Sequence, residues 1–229
     1  MNRNSKKKNK VLIKLMLIII IILVLFIIIH FATFNHHKVK EVTKIKYKEV
    51  VSENIVFLGD SITHRYDLNK YYPDYNVVNS GEEGNITDDI LDNMYDRVYK
   101  YNPSKVFLLI GTNQLEKDKA ENIVNDIIKI VSETHKNRPL TKIYVESIYP
   151  VNNDVLNTPA KNKDNKKIEI INQKLKKLSL DNNYIYINLY DRLLDEDNHL
   201  FYKYTVDGLH INNKGYSFIT RELTKYVKD

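Results

Sequence analysis

Ser61 stands in Gly59-Asp60-Ser61-Ile62-Thr63, directly after the apolar run Ile55-Val56-Phe57-Leu58. A buried strand that ends in Gly-Asp-Ser delivers a hydroxyl to the carboxyl edge of a sheet. That hydroxyl is a weak nucleophile until a base takes its proton. His210 is the candidate base. Asp207, three residues earlier, reaches the imidazole Nδ1–H through one turn, which fixes the tautomer and stabilises the imidazolium. Two more polar pieces lie between them, Gly84 in Gly81-Glu82-Glu83-Gly84-Asn85 and Asn113 in Gly111-Thr112-Asn113-Gln114. Each piece alone has a plain reading: Gly-Asp-Ser and Asp-Gly are turns, and a single histidine is more often structural than catalytic. Four pieces in this order, three of them after strand-like runs, weigh against the plain reading. The chemistry is acyl transfer through a serine, which needs no metal and no cofactor.

The elements that must position these groups are legible as apolar runs. They recur at Ile55–Leu58, Tyr75–Val78, Val106–Ile110, Ile143–Ile148 and Tyr184–Leu189. Most are continuous rather than alternating, as parallel strands covered on both faces require. Helical periodicity fills the gaps over Ile86–Tyr101, Ala120–His135, Ile168–Leu180 and about Asn213–Val227, with Asn212-Asn213 as cap. Strand–helix alternation predicts an α/β chain, a three-layer α/β/α sandwich on a five-stranded parallel sheet. In such sheets sites form outside the carboxyl ends of the strands, where Ser61, Gly84 and Asn113 fall. The polar stretch Val151–Lys167 reads as a long loop at that edge.

On these motifs the chain resembles the SGNH/GDSL hydrolases, serine esterases of flavodoxin-like fold, over roughly residues 52–229. The resemblance implies Ser61, His210 and Asp207 as catalytic triad. It implies the Ser61 and Gly84 backbone N–H groups and the Asn113 amide as oxyanion hole. Glycine at 84 is expected to let backbone approach the oxyanion, Gly111 to turn the Asn113 amide inward, and Asp60 to hold the serine loop. The Gly-x-Ser-x-Gly elbow of α/β-hydrolases is absent. Two positions depart from the family pattern: Asn85 stands where aspartate commonly follows the glycine, and Gln114 where aspartate commonly follows the asparagine. Glu82 and Glu83 are expected to make the rim acidic.

The N-terminal part reads differently. The net charge is +6, and Arg3, Lys6, Lys7, Lys8, Lys10 and Lys14 account for all of it. The remainder is neutral, so nothing favours nucleic acid. There is no cysteine, which excludes disulfides and thiolate metal sites. Residues 1–14 read as a basic cytoplasmic tail and 15–34 as a single transmembrane signal anchor. The apolar run is longer than that of a cleaved signal peptide and lacks a small-x-small site. Residues 35–51 read as a stalk and 52–229 as the hydrolase domain, outside the cell by the positive-inside rule. His36-His37 and the loose calcium-like loop Asp195–His199 lack the ligands a metal site needs.

His64, Tyr66 and Glu83 are the candidate substrate contacts. Their neighbours Arg65, Asp67 and Tyr71-Tyr72-Pro73-Asp74 and the loop residues Asn152, Asn153, Asp154 and Asn157 complete a polar, aromatic lining. Such a lining suits an acylated small molecule or a glycan carrying O-acetyl groups. A lysophospholipase or thioesterase, an O-acetyltransferase using the same triad, and a non-catalytic glycan-binding domain are the rival readings. The oligomeric state is not legible.

Overall fold

A computed structural model describes residues 16, 22–35 and 53–229. The chain divides into two units, Met1–Val50 and Val51–Asp229. In the first, residues 22–35 form helix α1, whose apolar side chains are exposed, Phe26 by 69%. Among the described residues no helix is long and apolar enough to cross a membrane. The span expected over 15–34 therefore gains no support from the fold. Residues 15 and 17–21 of that span, the tail 1–14, the stalk including His36-His37, and residue 52 lie outside the described residues.

The second unit runs β1 (Ile55–Gly59), α2 (Ser61–His64), α3 (Leu68–Tyr71), β2 (Val77–Gly81), α4 (Thr87–Asp92) and α5 (Met94–Arg97), followed by a 3-10 turn at Tyr99–Tyr101. It continues through β3 (Lys105–Leu109), a 3-10 turn at Thr112–Gln114, α6 (Ala120–Asn137), β4 (Lys142–Glu146) and α7 (Asn165–Leu178). β5 (Ile185–Ile187), α8 (Tyr190–Leu193), a 3-10 turn at Tyr202–Tyr204 and α9 (Asn213–Lys228) complete it. The strands form one parallel sheet in the order β2-β1-β3-β4-β5.

Side chains alternate across the pleat, so each strand feeds two cores. Val56, Leu58, Val106, Leu108, Ile143 and Val145 pack with Ile90, Ile123, Ile127 and Ile168 of α4, α6 and α7. Ile55, Phe57, Phe107, Leu109 and Tyr144 pack on the other face with Ile62, Leu68, Leu193, Ile219 and Leu223 of α2, α3, α8 and α9. In-register Phe57, Phe107 and Tyr144 stack across three strands, with ring centroids 4.7 and 4.6 Å apart. Burial on both faces is why the strand sequences are continuously apolar.

The helix expected over Ile86–Tyr101 is broken. Asn93 leaves helical geometry at φ −121°, ψ 22°, and Val98 does so at φ −133°, ψ −56°. The Arg97 carbonyl, freed from helical pairing, accepts the Ser80 hydroxyl at 2.8 Å. The loop expected over Val151–Lys167 ends sooner, because Asp164 caps α7 by accepting the Lys166 N–H at 2.9 Å.

Glu146 closes β4 inside the second core, where it accepts the Tyr149 hydroxyl at 2.5 Å. Burial pushes its carboxyl from 4.5 up to about 7 against that bond. Between about pH 4 and 7 the folded state then keeps a proton that the unfolded chain has lost. The contribution to stability is full below that window and disappears as pH rises through about 7. Glu146→Gln is expected to flatten the fall in urea-unfolding free energy between about pH 5 and 8 and to raise stability at the alkaline end. A slope identical to that of the unsubstituted chain would assign the effect elsewhere.

Candidate active site

Ser61 opens α2 one residue after β1 has reached its carboxyl edge. Asp60 caps the turn: its Oδ1 accepts the Ile62 N–H at 3.0 Å. Its Oδ2 is buried without a hydrogen-bond partner among the described residues, and burial raises the carboxyl to about 7. Asp60 therefore shapes the serine turn. The far end of α2 is satisfied from two other elements. Asn79 of β2 donates its amide to the carbonyls of Thr63, His64 and Tyr66, at 2.9, 3.2 and 2.9 Å, and accepts the Gly81 N–H at 2.9 Å. Tyr216 of α9 donates its hydroxyl to the Ile62 carbonyl at 2.7 Å. Polar residues in β2 thus serve the serine turn, and for that reason the strand extends past its expected apolar run to Gly81.

His210 comes to Ser61 from the other end of the domain. Its Nε2 lies 3.1 Å from Ser61 Oγ, and its Nδ1 lies 2.7 Å from Asp207 Oδ2. Asp207 Oδ1 accepts the backbone N–H groups of Leu209 and His210 at 3.0 and 2.8 Å. Burial opposes charge on Asp207, but the His210 ring and these two N–H groups outweigh it and hold the carboxyl below its ordinary value. An ionised carboxylate only accepts, so Nδ1 carries a proton, and in the neutral imidazole Nε2 then faces Ser61 as an acceptor. Thr205 frames the turn, donating to the His210 carbonyl at 2.8 Å and accepting the Gly208 N–H at 2.8 Å. Gly208 has φ +86°, and a Cβ there would sit 2.2 Å from the Asn152 carbonyl oxygen.

Gly84 and Asn113 are brought together by the turns that follow β2 and β3. The turn after β2 is tied back to β1 by the Glu82 N–H donating to the Gly59 carbonyl at 3.2 Å. Asn113 donates its amide to the Asn85 carbonyl at 2.9 Å, which fixes it beside Gly84. Gly84 has φ +75°, yet a Cβ there would meet no atom within 4 Å. The glycine answers to backbone conformation rather than to crowding within the protein. Gly111, at φ +119°, makes the turn into Asn113. The two departures from the family pattern both have partners: Asn85 Oδ1 accepts from Arg97 Nη1 at 2.5 Å, and Gln114 accepts the Thr87 N–H at 3.0 Å while donating to Asp118.

The expected lining is corrected at several positions. Tyr66 is a core residue: it is 5% exposed, stacked on Tyr216 at 4.8 Å, with its hydroxyl shared between Tyr72 and Thr220. Tyr72 is buried beside it. Asn152 donates to the Leu200 carbonyl and Asn153 to those of Ala160, Lys161 and Lys163, so they hold their loop rather than face a ligand. His64 is exposed, with Nδ1 3.1 Å from the Gly81 carbonyl oxygen. Glu83 is also exposed, but Arg65 grips it with two bonds of 2.6 and 3.0 Å and holds its carboxyl below the ordinary value. Glu82 pairs with Arg97 at 3.2 Å. The expected acidic rim is thus a pair of neutralised ion pairs. Sequence reasoning missed Asn79 and Arg97 and the pairing of Arg65 with Glu83, which depend on contacts across 12 to 18 positions.

The chain matches the GDSL-like lipase/acylhydrolase family over residues 57–218. Among solved structures it is similar to a protein from Streptococcus pneumonia assigned provisionally as a platelet activating factor. That match has 32% identity and a TM-score of 0.71, covering 82% of this chain and 92% of the other. It is also similar to a lipase/acylhydrolase from Enterococcus faecalis, with 19% identity, a TM-score of 0.65 and coverage of 77% and 96%. An acetyl xylan esterase matches at 22% identity and TM-score 0.63, covering 76% and 99%. The last two similarities speak for the fold alone. No curated protein matches the chain.

The serine turn packs so closely on β2 that a Cβ on Gly81 would lie 2.2 Å from the His64 backbone nitrogen. Gly81→Ala is expected to lower the unfolding free energy by about 1–3 kcal/mol. A variant with unchanged urea midpoint would show that this contact relaxes freely.

Proposed function

This chain belongs to the GDSL-like lipase/acylhydrolase family and is an ester hydrolase, and we propose that its reaction runs through Ser61, His210 and Asp207 on short acyl esters of a surface or cell-wall glycan. The observation that carries the assignment is the hydrogen-bonded line from Ser61 Oγ through His210 to Asp207, 3.1 and 2.7 Å. His210 Nε2 takes the Ser61 proton as Oγ attacks the ester carbonyl. The tetrahedral oxyanion is held by the Ser61 and Gly84 N–H groups and the Asn113 amide. His210 then returns the proton to the leaving alcohol, and water, activated by the same imidazole, releases the acid.

The small acyl group and the sugar are read from the polar, charge-paired mouth formed by His64, Arg65 and Glu83, and from fold kinship with an acetyl xylan esterase. A lipid reading has its own support. Leu156 and Val206, on loops beside the His210 turn, are 87% and 69% exposed. We place the domain outside the cell on the N-terminal anchor, for which the sequence of residues 1–34 is the ground. Alkaline extraction of membranes tests this: the full chain is expected to stay with the membrane, and release would end the anchor reading.

Hydrolysis of p-nitrophenyl acetate, butyrate and octanoate separates the substrates. Activity confined to acetate and butyrate is expected, and a preference for octanoate would move the assignment to lipids. Ser61→Ala is expected to lower kcat by at least about 10³-fold. Asp207→Asn is expected to cost roughly 10³–10⁴-fold by reversing the His210 tautomer. Retained turnover in Ser61→Ala would remove the nucleophile assignment.

A further inference from the structure

Arg97 sits beneath the Gly84 turn, 6% exposed, and no step described above uses it. Its guanidinium spreads over the end of the strand that precedes Ser61 and over groups on both flanks of Gly84. Nη2 donates to the Gly59 carbonyl at 3.1 Å and to the Ser80 carbonyl at 2.5 Å. Nε donates to Ser80 Oγ at 3.2 Å. Nη1 donates to Glu82 Oε2 at 3.2 Å and to Asn85 Oδ1 at 2.5 Å. Gly59 is the end of the strand that presents Ser61, and it also accepts the Glu82 N–H. Asn85 holds the Asn113 amide through its carbonyl. One planar cation thus joins the strand before the nucleophile, both flanks of Gly84 and, through Asn85, Asn113.

The surroundings hold Arg97 in place. The break at Asn93 and the exit at Val98 turn its backbone toward β2, where its carbonyl takes the Ser80 hydroxyl. Burial lowers the guanidinium's pKa, opposed by Glu82 and Asp89, but an arginine remains charged in any ordinary range. A buried cation held by several acceptors in fixed directions is rigid. A lysine, with one ammonium, cannot span the same acceptors.

We infer that Arg97 is the positioning residue of the oxyanion side of the site, setting the Gly84 turn and the Asn113 amide relative to Ser61. The inference rests on the serine-hydrolase reading above, in which those groups face the developing oxyanion. Misplaced donors weaken binding of the transition state and leave ground-state binding of the ester nearly untouched. Arg97 therefore acts on kcat.

The test is p-nitrophenyl acetate kinetics on the full chain and on Ser61→Ala, Arg97→Lys, Asn85→Ala, Asn113→Ala and the double variant Arg97→Lys/Asn113→Ala. Arg97→Lys is expected to lower kcat by about 10–100-fold with KM within about twofold. Asn85→Ala, which leaves Arg97 in place and removes one acceptor, is expected to lower kcat less. In the Asn113→Ala background, Arg97→Lys is expected to cost less than it does alone, because part of its effect passes through that amide. Wild-type kcat in Arg97→Lys, a rise in KM without loss of kcat, or strictly multiplying effects would each overturn the inference. Should Arg97→Lys lose its near-UV circular dichroism, Asn85→Ala decides: unchanged kcat there overturns it. Failure of the underlying reading looks different, since Ser61→Ala would then match the unsubstituted chain, and the inference would fall with it.

Discussion

The nucleophile must leave a buried strand and begin a helix within two residues, and most of the domain's polar chemistry answers to that turn. A turn so abrupt leaves backbone groups at both ends of α2 without helical partners. Asp60 satisfies the front, and Asn79 and Tyr216 satisfy the back. The approach is also sterically close. Gly59 packs on the Leu109 carbonyl and Thr63, and Gly81 on the Thr63–His64 backbone, with no room for a Cβ at either. Both strands beside the serine therefore end in glycine for lack of space, Gly84 is glycine because φ is positive, and at Gly111 and Gly208 both reasons hold.

Around that turn the charges are arranged in pairs. Arg65 with Glu83 at the surface, and buried Arg97 with Glu82, set two cations against two carboxylates. The exposed Arg65–Glu83 pair contributes little to stability. The half-buried Arg97 pair belongs to a network whose other members are backbone and amide oxygens. The two carboxylates beside Gly84 are thus each matched by a cation.

The sheet was legible because parallel strands buried on both faces cannot hide their apolar runs. Four of the five runs fall within a residue or two of the observed strands; β2 alone is shifted, because Asn79 and Ser80 are polar residues recruited to the serine turn and to Arg97. Ser61, Asp207 and His210 were legible because their motifs are local, and the structure brings all three together. What escaped was nonlocal. Tyr66 and Tyr72 looked like lining residues because their hydroxyl partners, each other and Thr220, are invisible without the fold. The glutamates looked like an acidic rim because Arg65 and Arg97 lie 18 and 15 positions from them. The helix break at Asn93 was hidden by apolar periodicity that continues through it.

Ser61 and His210 are 149 positions apart. The hydroxyl belongs to the first strand–turn of the domain, whereas its imidazole arrives with the turn that precedes α9. A ribosome releases these segments far apart in time, and a domain folds as a unit. A nascent or C-terminally clipped polypeptide therefore lacks both the ring that would draw off the serine's proton and the Tyr216 hydroxyl that closes the serine turn. The topology delays reactivity until the sheet is complete and α9 has docked on it.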